Sequence, residues 1–495
     1  MRPLSKPKLR HRKVVKNSQF LTKAHTLAYS IVGLQEANLA YHYPIIYWNT
    51  ANLISDSGGE DSTVSYGKIA TAVSNFQKMG IKISLPDINK TKFDFRPDAK
   101  NNEIIYGLKP IQGIGTKVAQ AIVKYQPYTS AQNFYEKMQI FKSEKNENDE
   151  KNKFGDTAMI TLIKAGCFDE LENRPRTEIM KEFIYQISSP ISSLKMSNIE
   201  DLNKMGLLTE AQKKFELRLF RFKKYLFQKQ FLVYQKGKSA STAFYKLDRK
   251  FAEPYFYENF ESEMNEGKDY EYTEDGFIAV KRGAIERVFD KLTENFKDEV
   301  LTNQKFLDKI NQERFNTLWQ EKVPGTVSKW EMDSLCFYYS GHELAGVNRE
   351  VYNIANFDEL NPEPEISDHY FYRGQMKPRF RLSRIAGTVI DKNKDRHTVT
   401  LLTLDGVVQV KFYKGQFGFY DKKIVDIKDD GTKENLEDSW FARGTKLLIT
   451  GFRRDEQFVP KKYNDSIYRH SVQLIKNIDE NGMLELQSER VGQEE

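Results

Sequence analysis

Residues 107–125 read Gly-Leu-Lys-Pro-Ile-Gln-Gly-Ile-Gly-Thr-Lys-Val-Ala-Gln-Ala-Ile-Val-Lys-Tyr. An apolar turn closed by Gly113-Ile114-Gly115 runs into a segment with Val118, Ala119, Ile122 and Val123 at helical spacing. The glycines permit a tight bend and remove the Cβ that would hold a phosphate off the main chain. The first free N–H groups of the following helix, from Thr116 onward, then face that phosphate with the positive end of the helix dipole behind them. Lys117 and Lys124 add charge beside it.

This order of bend and helix is the helix-hairpin-helix pattern, which holds a DNA backbone without reading bases. The alternative is an ordinary glycine turn between two core helices. Beyond a Lys- and Glu-rich linker at 142–153, a second helical unit carries Met159 to Asp169, with Gly166 where a hairpin or helix stop falls. The expectation is a tandem domain over 101–172. Its DNA contacts are Gly113, Ile114, Gly115, Thr116 and Lys117 in the first unit, and Lys164 and Gly166 in the second.

Toward the N-terminus, residues 20–54 read as two helices broken near Pro44, with Leu27, Ile31, Leu34 and Leu39 near helical spacing. A helix over 66–80 ends at Gly80, and short extended pieces follow from Ile81 to Ile105. Residues 1–19 form a basic arm, with Arg2, Lys6, Lys8, Arg10, Arg12, Lys13 and Lys16 and no acidic partner through position 16. Such an arm suits a polyanion or is a solvated tail. Toward the C-terminus, 173 to about 345 reads as long polar helices, with an acidic loop over 259–274. Residues 215–238 interleave basic and aromatic side chains, so Arg218, Arg221 and Lys224 either track phosphates or form the solvated face of a helix with an aromatic core stripe. After Pro362 come runs of strand character at 381–390, 398–404, 406–413, 446–453 and 466–475, which suggest an OB-type barrel over 363–478. Its sheet face holds single-stranded nucleic acid, or the barrel is a structural cap. The remaining divisions are 20–100, 173–362 and an acidic tail over 479–495. The expected fold class is multidomain and mainly α, with a C-terminal all-β barrel.

The chain has 495 residues and a net charge of +7. That length is room for about three domains. Cys167 and Cys336 are its two cysteines, so a disulfide framework or cysteine metal site is excluded and both read as buried small hydrophobes in a reducing compartment. No apolar run approaches the roughly 18 residues of a membrane span, and the basic N-terminus lacks a signal peptide's apolar segment, so the chain is expected to be soluble and intracellular. Two-metal phosphoryl transfer needs convergent carboxylates. Asp87 and Asp94 are seven positions apart with lysines between them, and Asp429-Asp430-Gly431 reads as a turn. His25, His42 and His342 lack partners at ligand spacing. No catalytic residue and no metal site is read in this chain.

Four segments, in order, resemble the C-terminal half of the bacterial DNA polymerase III alpha subunit, the C-family polymerases. Thr22-Lys23-Ala24-His25-Thr26-Leu27-Ala28-Tyr29, with Gln35 and His42-Tyr43-Pro44, is similar to the family's fingers motif, Asn-Lys-Ser-His-x-x-x-Tyr followed by Tyr-Gln-Thr and Ala-His-Tyr-Pro. Leu85-Pro86-Asp87-Ile88-Asn89 comes next. The Gly113 bend follows, with Pro127-Tyr128 and Leu162 to Asp169. Phe337-Tyr338-Tyr339-Ser340-Gly341-His342-Glu343-Leu344 resembles the Ser-Gly-His-Pro-Leu turn before the family's OB domain.

The resemblance implies that Lys23 and His25 lie by the triphosphate of the incoming dNTP. Three departures bear on it. The palm motif Pro-Asp-x-Asp-x-Asp-Phe, which belongs upstream of the fingers, is absent. Thr22, Ala24 and Leu34-Gln35-Glu36 replace family residues. Gln304-Lys305-Phe306-Leu307 is a weak match to a sliding-clamp peptide, and nothing resembles the family's last, clamp-loader-binding domain. The expectation is a split replicative polymerase subunit that binds primer-template DNA in a bacterial or phage-infected cytoplasm. Palm and thumb would reside on a partner chain, with Mg2+ and dNTP bound only in the complex and a sliding clamp as a further partner. The alternative is a stand-alone DNA-binding protein, either a duplex clamp or a single-strand binder. A third reading makes 173–345 a protein-docking arm.

Overall fold

The structure, a computed structural model, describes residues 8–58, 64–144, 151–228, 232–235, 243–428, 431–463 and 469–492, with side chains outside 8–22, 214–218 and 232–235. Arg2 and Lys6 of the basic arm, half of the 142–153 linker and Asp429-Asp430 lie outside the described residues. The chain divides into two compact units, Met1–Met180 with Gly325–Glu495, and Lys181–Pro324.

The first unit opens with α1 (Lys8–His42) and α2 (Ile45–Asp56), broken by Pro44 as the sequence implied. Helix α1 begins within the segment read as a basic arm. Leu27, Ile31, Leu34 and Leu39 keep their helical spacing, yet all are exposed, Leu34 by 72%. No described residue covers this stripe. By contrast, α2 buries Ile46 and Leu53, and α3 (Tyr66–Lys78) buries Ile69, Ala70, Val73 and Phe76. The chain then forms a small sheet of β1 (Lys82–Ser84), β2 (Arg96–Asp98) and β3 (Glu103–Ile105). Strand β3 is central, parallel to β1 and antiparallel to β2. It leads into the glycine bend, followed by α4 (Thr116–Lys124), α5 (Ala131–Ser143) and α6 (Asp156–Lys164). Ser130 caps α5, its hydroxyl accepting from the Asn133 amide at 3.0 Å.

The C-terminal part of this unit is a closed five-stranded barrel. Ser383–Asn393, Thr398–Thr403 and Gly406–Lys411 pair antiparallel in succession, and Lys446–Arg454 pairs with the first of them. Gln457–Pro460 closes the barrel, antiparallel to its predecessor and parallel to Gly406–Lys411. A helix, Lys414–Asp421, sits between the third and fourth strands. Phe412, Phe417, Tyr420, Trp440, Phe441 and Phe458 fill the core. The fifth barrel strand is therefore not the 466–475 run. Val472–Ile478 instead pairs with Lys446–Arg454 as an addition and carries Leu484–Gln487 beyond it. The true fifth strand has four residues and was hidden by its brevity.

The second unit is helical, but not only so. Leu232–Gln235, Ala243–Lys246, Ile278–Lys281 and Tyr270–Tyr272 form, in that spatial order, a four-stranded antiparallel sheet. The reading of 173–345 as helices, with 259–274 as loop, missed it, because strands of three or four residues barely establish a period of two. Leu219, Phe222 and Leu226, on one side of the helix Glu210–Leu226, pack with Tyr255, Phe256, Phe260 and Phe289.

Candidate nucleic-acid interface

The bend at 113–115 is built from the inside out. Leu108, Ile111 and Ile114 are buried, and their anchoring leaves Gly113 and Gly115 on the surface. Gly113 takes φ +80°, a conformation that favours glycine, and no atom lies within 4 Å of where a Cβ would stand on either glycine. Gly115 is the N-cap of α4, and no side chain caps the helix. The amides at the start of α4 are thus aimed out of a surface without Cβ atoms. On α4, Ala119, Ala121 and Ile122 face the core, while Lys117 and Lys124 are exposed. Among the described residues neither lysine has a carboxylate within ion-pair reach.

What fixes the bend is long-range. The Gln112 amide donates to the Ser334 carbonyl at 2.8 Å. The Tyr106 hydroxyl donates to the Leu335 carbonyl at 2.9 Å. Arg443, from the barrel, donates to Gln112 Oε1 at 2.9 Å and to the Ile390 carbonyl at 3.0 Å, and its guanidinium lies 4.4 Å from the Tyr66 ring centre. Sequence reading missed all of these positioning residues. Gln112 and Arg443 are 331 positions apart, and no local pattern signals such a pair.

The Ser340-Gly341-His342 turn is also held by buried groups. Fully buried Glu331 accepts from the amides of Tyr339 and Ser340 and from the Ser340 hydroxyl at 2.6–2.9 Å. His342 accepts at Nδ1 from the Leu344 amide and meets the Leu402 carbonyl with Nε2 at 3.1 Å. Both nitrogens are engaged, so it is a structural neutral histidine, and burial lowers its pKa. Cys167 and Cys336 are both buried, as expected.

The second unit of the tandem differs from expectation. Gly166 takes φ +82° and terminates α6, with its amide donating to the Ile163 carbonyl. It is buried, and a Cβ there would meet the Arg176 guanidinium at 2.5 Å. Its backbone is not open to a phosphate, which corrects its assignment as a DNA contact. Lys164 is half-buried beside Asp333 and Lys329, and desolvation lowers its pKa. The 113–115 bend is entered from a run of turns that follows β3, and not from a helix.

In the second unit of the chain, Arg221 and Lys224 are exposed, Arg221 within 3.8 Å of Glu200. The Arg218 side chain lies outside the described residues. Among the described side chains of the helix Glu210–Leu226, Leu219, Phe222 and Leu226 are buried, while Arg221 and Lys224 are exposed. Phe306 and Leu307 of the clamp-peptide candidate lie in a helix, Gln304–Lys322, and pack against the core of this unit.

Lys23 and His25 are exposed on α1, and the structure joins them to no other described site residue. Two positions apart on a helix, they project roughly 200° from each other, so one phosphate cannot be held by both from a single face. Among the described residues no group of three His, Cys, Asp or Glu is placed to hold a metal. These residues do not fit a two-Mg2+ centre. No helix among them is long and apolar enough to cross a membrane.

A family model described as a helix-hairpin-helix motif matches residues 80–178. The chain is 40% identical over 479 residues to the probable DNA polymerase YorL of Bacillus subtilis (strain 168), covering 94% of this chain and 35% of that protein. The same figures hold for the DNA-directed DNA polymerase of Bacillus phage SPbeta. The DNA polymerase III subunit alpha of Xylella fastidiosa (strain 9a5c) is 32% identical over 162 residues, 32% of this chain and 12% of that protein. The chain spans about a third of the length of the first two relatives. These matches bear out the resemblance to polymerase III alpha-type enzymes read from the sequence, and with it the helix-hairpin-helix assignment.

Proposed function

We propose that this chain grips primer-template DNA by its backbone at the Gly113–Gly115 bend, as the fingers, hairpin and barrel portion of a polymerase III alpha-type replicative polymerase. The single observation that carries this reading is the exposed, Cβ-free bend opening a helix with no side-chain cap that carries exposed Lys117 and Lys124, in a chain similar to DNA polymerases over nearly its whole length. Ile114 anchors the bend from beneath, and Thr116 and Lys117 present amide and cation to the phosphate. In this reading the palm carboxylates, with the Mg2+ they bind, are assigned to a partner polypeptide; among the described residues no group of three His, Cys, Asp or Glu is placed to hold a metal. The bare Leu27–Leu39 stripe of α1 supports a further polymerase segment packing there. Lys23, a fixed point cation, is assigned to the dNTP triphosphate, with His25 on another side of the helix.

The test is a duplex titration at two salt concentrations, followed by primer extension. Affinity falls steeply with salt, the chain alone incorporates no nucleotide, and Mg2+-dependent extension appears when the palm-bearing polypeptide is added. Salt-indifferent or absent DNA affinity overturns the grip. Extension by the chain alone overturns the division of labour.

A further inference from the structure

Just ahead of the barrel, Ile366–Tyr372 and Gln375–Phe380 form a two-stranded antiparallel hairpin that belongs to no larger sheet. Its turn, Arg373-Gly374, takes positive φ at both positions, 49° and 77°, the geometry that matches strand twist in a two-residue loop. Isolated two-stranded hairpins are marginal in water, and this one is pinned at its base. The Phe380 amide donates to the Tyr463 hydroxyl at 2.9 Å, and the Phe380 ring lies 4.7 Å from that of Phe452.

The register sorts its side chains. Tyr370 lies opposite Lys377, Tyr372 opposite Gln375 and Asp368 opposite Arg379, and these residues share one face. Tyr463 joins that face, its ring 5.9 Å from Tyr370. Cations are interleaved with the rings. Lys377 stands 4.9 Å and Arg373 5.2 Å from the Tyr372 ring centre, and Arg379 stands 4.8 Å from that of Tyr463. Asp368 is the one acidic residue between Ile366 and Arg381. The Tyr372 ring is 46% exposed, so burial does not account for it, while Tyr370 and Tyr463 are half-buried and keep part of their surface open. Alternating ring faces and cations at strand spacing match a polyanion whose bases are unpaired and free to stack. A duplex keeps its base faces inside the stack and leaves the rings unused.

We infer that this hairpin is a binding arm for single-stranded nucleic acid, with Tyr370, Tyr372 and Tyr463 stacking bases and Arg373, Lys377 and Arg379 meeting phosphates. It forms a sheet separate from the barrel's own and shares no residue with the glycine bend.

The test uses the full chain with fluorescent oligo-dT and, separately, a blunt duplex. Tyr372→Ala weakens oligo-dT binding by roughly tenfold. Lys377→Ala weakens it and flattens its salt dependence. Neither variant changes duplex affinity, whereas Lys117→Ala weakens the duplex and leaves oligo-dT near wild type, so the two sites fail separately. Photo-crosslinking of an iodouridine oligonucleotide places adducts on 370–380 or on Tyr463. Oligo-dT affinity within twofold of wild type in both hairpin variants overturns the inference. So do adducts confined to other segments, or equal binding of a polyglutamate peptide, which would assign the surface to an acidic protein.

Discussion

The Arg176 guanidinium and the Glu331 carboxylate meet at 3.2 Å across 155 positions of sequence. Arg176 also binds Asp169 and the Lys164 carbonyl, while Glu331 holds the Ser340 turn. The end of α6 and the turn before the barrel thus depend on one buried pair. Its neighbouring carboxylates raise the Arg176 pKa against the opposing effect of burial. Arg176→Ala leaves Glu331 charged, buried and short of a partner, and is expected to destabilise by about 3–5 kcal/mol. Urea unfolding checks it. A midpoint unchanged from wild type would refute the coupling.

Gly113 and Gly115 differ in what a methyl group does to them. At Gly113, φ is +80°, and Ala is expected to lower stability by about 1 kcal/mol through backbone strain. At Gly115, φ is −74° and the space is open, so Gly115→Ala folds normally. It nevertheless sets a methyl group on the surface that the proposed grip leaves open to a phosphate. The expected outcome is wild-type thermal stability with weakened duplex binding, measured on the same preparation.

Lys117 contributes charge without packing. Lys117→Ala is expected to weaken duplexes of any sequence alike and to lower the slope of log affinity against log salt by about 1. Anisotropy titrations over a salt series measure both. A sequence-dependent loss would argue for base contact instead.

His342 introduces a pH dependence of definite sign. Burial holds its pKa in the folded protein below the ordinary histidine value. The unfolded chain therefore takes up its proton first, and the stability contribution is present at neutral pH. It is lost as pH falls through about 6.5 toward the folded value. Wild type is expected to lose more stability than His342→Asn between pH 7.5 and 5.5, by urea unfolding at each pH. Parallel losses would remove His342 from the account.

Local chemistry made much of this molecule legible. Pro44 breaks a helix wherever it occurs, Gly80 and Gly113 carry their backbone requirements with them, and strands such as Thr398–Thr403 alternate long enough to declare themselves. What escaped was non-local or short. The four-residue Gln457–Pro460 closes the barrel only by pairing with a strand nearly fifty positions upstream. The exposure of Leu34 depends on what does not cover it, and periodicity reports a stripe without saying whether anything meets it. In sequence Gly166 resembles Gly113 because each sits where a bend or helix stop falls, and in the structure both carry positive φ. They are distinguished by Arg176, whose guanidinium arrives from the start of the helix Arg176–Ile187.

Arg443 touches the Tyr66 ring, the Gln112 amide group and the Ile390 carbonyl at once. A single planar side chain thereby ties the loop that carries Gly113 to the rim of the barrel. Loop and rim are therefore held at one fixed separation, and a shift of either displaces the other.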